Sequence, residues 1–215
     1  MMTTVDPIAV KTESEAAVRA AGGKICDWLP HLDRASLRPH NEIVGRALVM
    51  NALLNIHFKA PIPIVAKWIE KHRLSSHLSN GERELLRRTN DDLSEQQVTD
   101  LFWYIEALWA LMWVGGLIDD LPFQTPVEDR MASMCPSLER DEGPEKFAAR
   151  MRVRSPDEVF RMLDLYYRVH WWARDGQLNG YSTEPASLDV VMERRKALEW
   201  ALDPKCDWDD VPLNT

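Results

Sequence analysis

The amino-acid sequence predicts an all-α, single-domain bundle of about seven to nine helices, with room for a minor strand pair. Three observations point there. Helix-start signatures recur along the chain. Apolar residues return at three- and four-residue steps over long segments. No segment shows convincing period-two alternation; the one β-branched pair of note, Val190-Val191, sits inside a helical pattern. The chain divides into an N-terminal helix and irregular segment (1–34), a helical core (35–202) and an acidic, Trp-containing tail (203–215).

Taken in order, Thr12–Ala21 reads as a short helix closed by Gly22-Gly23, because glycine accepts the left-handed conformation that ends a helix. Lys24–Pro30 reads as irregular. Asn41–Lys59 carries Ile43, Ala47, Leu48, Leu54 and Phe58 near helical spacing, and Pro61 and Pro63 stop it before a short helix over Ile64–Lys71. Four capping boxes follow: Ser79/Glu82, opening a helix to about Arg88; Ser94/Gln97, opening one to about Val114; Thr125/Glu128, opening a short one; and Ser155/Glu158, opening one to about Arg174. In each, the hydroxyl accepts the N3 amide and the Glu or Gln accepts from the cap amide. A last helix runs over Leu188–Leu202, stopped by Pro204.

A chain of 215 residues buries roughly 70% of its unfolded surface without disulfides. Cys26, Cys135 and Cys206 are scattered and form no CxxC pair, which suits a reducing compartment. Met1–Val10 lacks the flank and apolar run of a signal peptide. The longest uncharged stretch, Ala107–Ile118, is 12 residues, against the about 20 a membrane span needs. The expectation is a cytoplasmic protein that neither enters a membrane nor, at a formal charge of −8, binds nucleic acid, whose phosphates call for cations. No HExxH, GxGxxG, GxxxxGK[ST] or GxSxG motif is present, so no metal and no cofactor is expected.

One internal echo stands out. Arg38-Pro-His-Asn-Glu42-Ile43 resembles Arg154-Ser-Pro-Asp-Glu158-Val159. The simpler reading is two helix starts under the same capping rules; the other is a repeated helical half.

Several strings together carry a family likeness: Arg154-Ser-Pro-Asp-Glu-Val, Asp164-Leu-Tyr-Tyr-Arg168-Val-His170-Trp171, Val191-Met-Glu193-Arg194-Arg195-Lys-Ala-Leu-Glu-Trp200, Trp208-Asp209-Asp210-Val-Pro-Leu-Asn-Thr215, and Ile105-Glu106-Ala-Leu108 leading to Leu111-Met-Trp113-Val-Gly115. Over roughly residues 35–215 the chain resembles the bacterial domain-of-unknown-function family 4272. The resemblance implies a fold group and no activity.

The candidate chemistry centres on the helix after Ser155. Arg161, Asp164, Arg168, Trp171 and Asp175 share one face, and His170 lies on the next stripe. The stripe reads as a solvated face, a buried polar network, or a site in which Glu106, Asp164, Arg168 and His170 act as catalytic or ligand groups, His170 serving as acid or base. Arg46, Glu106, Asp164, Arg168 and Glu193 stand in apolar surroundings and are expected to include at least one buried salt bridge, with Arg194 and Arg195 as further partners. Arg150, Arg152 and Arg154 precede the Ser155 cap, and the positive end of the helix dipole there makes a candidate anion site; the alternative is pairing with Asp141, Glu142 and Glu145. Cys135 reads as a small buried residue. Trp208, with Asp209 and Asp210, either folds back as a latch or stays exposed for a partner. The expected function is a non-enzymatic protein-binding module, a toxin-neutralising (immunity) protein being one version. The alternative is an enzyme or small anionic-ligand binder.

Overall fold

A computed structural model describes residues 2–215. Among them are nine α-helices and no strand; the expected strand pair amounts to one antiparallel bridge between Met2 and Ser36. The helices are α1 (Pro7–Ala20), α2 (His40–His57), α3 (Ile62–Lys71), α4 (Asn80–Leu85), α5 (Glu95–Val114), α6 (Met131–Met134), α7 (Glu145–Arg150), α8 (Pro156–Asn179) and α9 (Leu188–Leu202).

Local chemistry explains most boundaries. Ser79, Ser94 and Ser155 each cap a helix with the reciprocal Glu or Gln in place. The Thr125/Glu128 box does not form. The Val127 amide in this segment donates to the buried Glu106 carboxylate at 3.0 Å, and α6 begins only at Met131. α1 starts five residues before Thr12, because Asp6 caps it and Pro7 takes the first helical position, where a missing N–H is harmless. α4 stops at Leu85, short of Arg88. α8 passes Arg174 and ends where Gly180 adopts φ +71°.

The principal helix neighbours form a row: α1, α8, α9, α5, α2, α3. The row is symmetric about the α9–α5 contact. α2 and α5, buried over most of their surfaces, make one hairpin, and α8 and α9 make the other. The sequence echo marks the joints of this symmetry. Arg38, before α2, donates its backbone N–H to Ala201 O (2.8 Å) and its Nε to Trp200 O (2.6 Å), at the end of α9. Arg154, before α8, donates its N–H to Val114 O (2.9 Å) and its Nε to Trp113 O (2.8 Å), at the end of α5. Each guanidinium lies over the indole it caps, at 4.1 Å and 4.6 Å, and each pairs with the glutamate four residues on, Glu42 and Glu158. Each hairpin thus clasps the other with the same residues. Shared capping rules do not explain this, since α2 has no side-chain cap whereas α8 has a full box; the echo is a repeated set of contacts. Helix C-termini leave carbonyls without helical partners, and the two arginines supply donors there.

Candidate functional site

Apart from Arg38 of the clasp, the buried charged residues resolve into four clusters. In the first, Arg194, fully buried on α9, donates Nε to Glu106 of α5 at 2.8 Å, and its Nη1 to Pro122 O and to the Tyr166 hydroxyl. Burial pushes the Tyr166 hydroxyl up to about 12, so it stays protonated. In the second, Arg168 holds Asp164 through a two-bond fork (2.9 and 2.8 Å), donates to Pro30 O, and has Glu15 of α1 at 3.7 Å. In the third, Arg195 donates to His170 Nδ1 at 2.7 Å and to Glu199. A guanidinium only donates, so Nδ1 is the acceptor and the proton sits on Nε2. Burial, reinforced by the neighbouring Arg195 charge, lowers His170 to about 4. In the fourth, Arg46 of α2 forks onto Glu82 (2.6 and 2.6 Å) and donates to His77 O at 3.1 Å. Tyr104 donates to Glu82 Oε1, and burial, then the Glu82 charge, raise its hydroxyl well above the ordinary value.

The four catalytic candidates therefore do not converge. Glu106 belongs to the first cluster, Asp164 and Arg168 to the second, His170 to the third. Their exposures are 2%, 0%, 3% and 0%, and none lines the clefts described below. The solvated-face reading of the α8 stripe fails at its centre, because α1 and the segment around Pro30 cover Asp164 and Arg168; its end, Arg161, is exposed and pairs with Glu13. Arg46, Glu106, Asp164 and Arg168 all sit in buried ion pairs. Glu193 does not join them: it is half-buried on α9, and burial raises its carboxyl to about 7.

The arginines before α8 serve carbonyls. Arg152 donates to Ala149 O and Met151 O, and Arg154 to Trp113 O, Ile118 O and Asp119 O. The start of α8 already carries the Glu158 carboxylate, bonded to Ser155 N–H and hydroxyl, so an anion would compete with it. Pairing with Asp141, Glu142 or Glu145 does not occur either: Asp141 pairs with Lys71 and Glu142 with Arg140. Arg150 is exposed beside a cleft shared with Cys135. Burial pushes the Cys135 thiol up to about 12, leaving little thiolate.

Trp208 folds back and is 3% exposed. Its ring is flanked by Arg46 at 4.5 Å and Lys196 at 4.7 Å, with Tyr104 and Trp200 edge-on. Asp209 accepts from Gly81 N–H at 2.8 Å; Asp210 is exposed. Sequence reasoning saw Glu82 only as a cap. Its dual use follows from one carboxylate accepting both the Ser79 N–H and the Arg46 fork, which a capping motif alone does not reveal.

Among the described residues, no group of three or more His, Cys, Asp or Glu is placed to hold a metal ion, and no helix is long and apolar enough to cross a membrane. An aromatic ledge lies on the outer face: Phe58, 62% exposed, stands edge-on to His57, which contacts Phe102, which contacts Trp103. Beside it lies a cleft of about 380 Å³ between α2, α5 and α6, with Leu54, Ile105 and Met131 in its walls and Glu128 and Asp129 at its rim.

A family model described as Domain of unknown function (DUF4272) matches residues 10–211. No curated protein and no solved structure matches the chain.

Proposed function

The chain belongs to the DUF4272 family, and within that family we propose that it is a non-enzymatic protein-binding module of the bacterial cytoplasm, with neutralisation of a toxin as one concrete form. The observation that carries the reading is the sequestration of Glu106, Asp164, Arg168 and His170 in three separate buried clusters. A general acid or base has to reach the proton it moves, and these groups reach each other instead. Among its exposed apolar residues, which include Trp28 elsewhere on the surface, the protein offers outward the ledge of Phe58 with half-buried Phe102 and Trp103, beside an apolar cleft. Aromatic anchors beside a pocket are the usual centre of binding energy in protein interfaces, and a net charge of −8 favours approach by a basic partner.

Affinity purification from the native host with mass spectrometry, followed by titration of the purified pair, tests the reading. The expected result is one partner bound by the wild type and lost by a Phe58→Ala/Trp103→Ala chain of unchanged helicity. A reaction catalysed by the purified chain and abolished by His170→Asn overturns it.

A further inference from the structure

Two asparagines sit one turn apart on α2, Asn51 buried and Asn55 half-buried. Asn51 donates Nδ2 to Pro136 O at 3.0 Å, and Asn55 donates Nδ2 to Asn51 O at 2.7 Å. A carbonyl only accepts, so each amide must turn its NH₂ end that way, and the side on which its oxygen lies is fixed. Neither Oδ1 receives a hydrogen bond among the described residues. The fully buried side-chain atoms without a partner all lie elsewhere, so both oxygens keep accessible surface. Asn51 is 6% exposed, and both asparagines border the cleft of about 380 Å³ between α2, α5 and α6. Their free acceptors open there.

The cleft is also lopsided in charge. Glu128 and Asp129 stand at its rim, and among the described residues no Lys, Arg or His lines it. Arg130, next in the chain, turns to Glu128, whereas Asp129 is exposed and has no salt-bridge partner among the described residues. Ser137 Oγ already accepts from the Arg140 N–H at 3.3 Å. The acceptors left free are thus two amide oxygens and a carboxylate. They share the lining with the apolar side chains of Leu54, Ile105 and Met131 and with the Phe58 ring. The matching ligand is rich in donors, positively charged and carried on an apolar stem. A guanidinium on an alkyl chain meets all three demands. It offers only donors, it is more weakly hydrated than an ammonium, and it stacks on aromatic rings. The size fits as well: about 150 Å³ of cavity holds a benzene, so there is room here for a whole arginine side chain.

We propose that this cleft receives an arginine side chain of the partner protein, its guanidinium donating to the Asn51 and Asn55 amide oxygens under the pull of Asp129, and its stem lying on Leu54, Ile105 and Met131. The proposal rests on the ledge as partner surface, since Phe58 belongs to both. It gives that partner a chemistry at the contact: a basic surface with one arginine as its anchor.

Butylguanidinium chloride serves as the probe, with butylurea as its uncharged isostere at matched ionic strength. The readout is the side-chain amide resonances of Asn51 and Asn55 in a ¹H–¹⁵N spectrum, assigned through their own backbone signals. Saturable movement with butylguanidinium is expected, with butylurea at least about tenfold weaker, the order of one hydrogen bond to a charged group. Asp129→Asn should weaken butylguanidinium about threefold, as for an exposed ion pair. Ala132→Trp fills the cleft from an exposed wall position and should abolish the response; neither replaced side chain makes a hydrogen bond within the fold. At saturating butylguanidinium the captured partner's apparent affinity should fall about tenfold. Resonances that stay still, that follow butylurea equally, or that respond unchanged in Ala132→Trp overturn the proposal, as does a partner whose affinity the probe leaves unchanged. In each of these cases the ledge reading stands if Phe58→Ala/Trp103→Ala still loses that partner. If no partner is captured, the ledge reading fails and the partner's arginine with it, whatever the probe does.

Discussion

Replacing Glu106 by Leu removes one side of a pair in which Glu106 is 2% exposed and Arg194 not exposed at all. Arg194 then keeps only Pro122 O and the Tyr166 hydroxyl, neither of them charged. Replacing Arg194 by Met leaves the Glu106 carboxylate with the Val127 N–H as its one remaining donor. Breaking one side of a buried pair destabilises by about 3–5 kcal/mol, since the survivor is a buried, uncompensated charge. The double variant Glu106→Leu/Arg194→Met has no such charge. It orphans the Val127 amide and the Pro122 carbonyl, at about 1 kcal/mol each, so its loss should be about 2 kcal/mol, smaller than either single variant's and far below their sum. Urea unfolding at fixed slope, read as the shift in midpoint, measures all three. Singles that lose under about 1 kcal/mol, or a double equal to the sum within about 0.5 kcal/mol, would refute the account of this cluster as an obligatory buried pair.

Stability should also report two titrations of opposite sign. His170 is lowered to about 4 in the fold, so its contribution is present above the ordinary histidine value of about 6.5 and drains away as pH falls toward 4; Glu193, raised to about 7, contributes below the ordinary carboxylate range and loses that contribution as pH rises through 7. Thermal melts across this range should show Glu193→Gln losing less stability than wild type as pH rises from about 4.5 to 7, and His170→Gln losing less as pH falls from about 6.5 to 4; parallel curves for wild type and variants would contradict both assignments. Trp208→Ala should destabilise by about 3–5 kcal/mol, as for other buried Trp truncations, and expose the 203–215 tail to protease; an unchanged digest would show that the indole does not hold the tail. Arg38→Lys and Arg154→Lys should each destabilise by about 2 kcal/mol or more despite keeping the charge, because a single ammonium cannot span the carbonyls the guanidinium forks across; calorimetry showing either variant equal to wild type would remove the clasp.

The fold was largely legible because its signals are local. The Ser94 and Ser155 boxes and the Leu188–Leu202 helix depend on residues within a few positions, and they form as the sequence predicts. Thr125/Glu128 has an equally good local signature and does not form, while the Val127 amide between them is bonded to Glu106, 21 positions before it, a partner no local signature reveals. The charged residues inside apolar helices were visible as such, but their grouping was not. Asp164 and Arg168 pair along one helix and can be read from spacing, whereas Arg46–Glu82 and Glu106–Arg194 span 36 and 88 residues. The Arg38 and Arg154 echo was visible as a string, and its meaning lay at the far ends of α9 and α5. Glu193 shows the limit from the other side: its helix and surroundings suggest the network, and one position's difference in angle gives the role to Arg194.

We propose that the buried charges are architecture and that partner binding resides on the outer aromatic ledge. The most direct test is the affinity for the captured partner, measured side by side on wild type, His170→Asn and Phe58→Ala/Trp103→Ala. His170→Asn should bind as wild type does, and the ledge variant at least about 30-fold more weakly, the loss expected for one interface hot spot. Binding that survives in the ledge variant and fails in His170→Asn would contradict it.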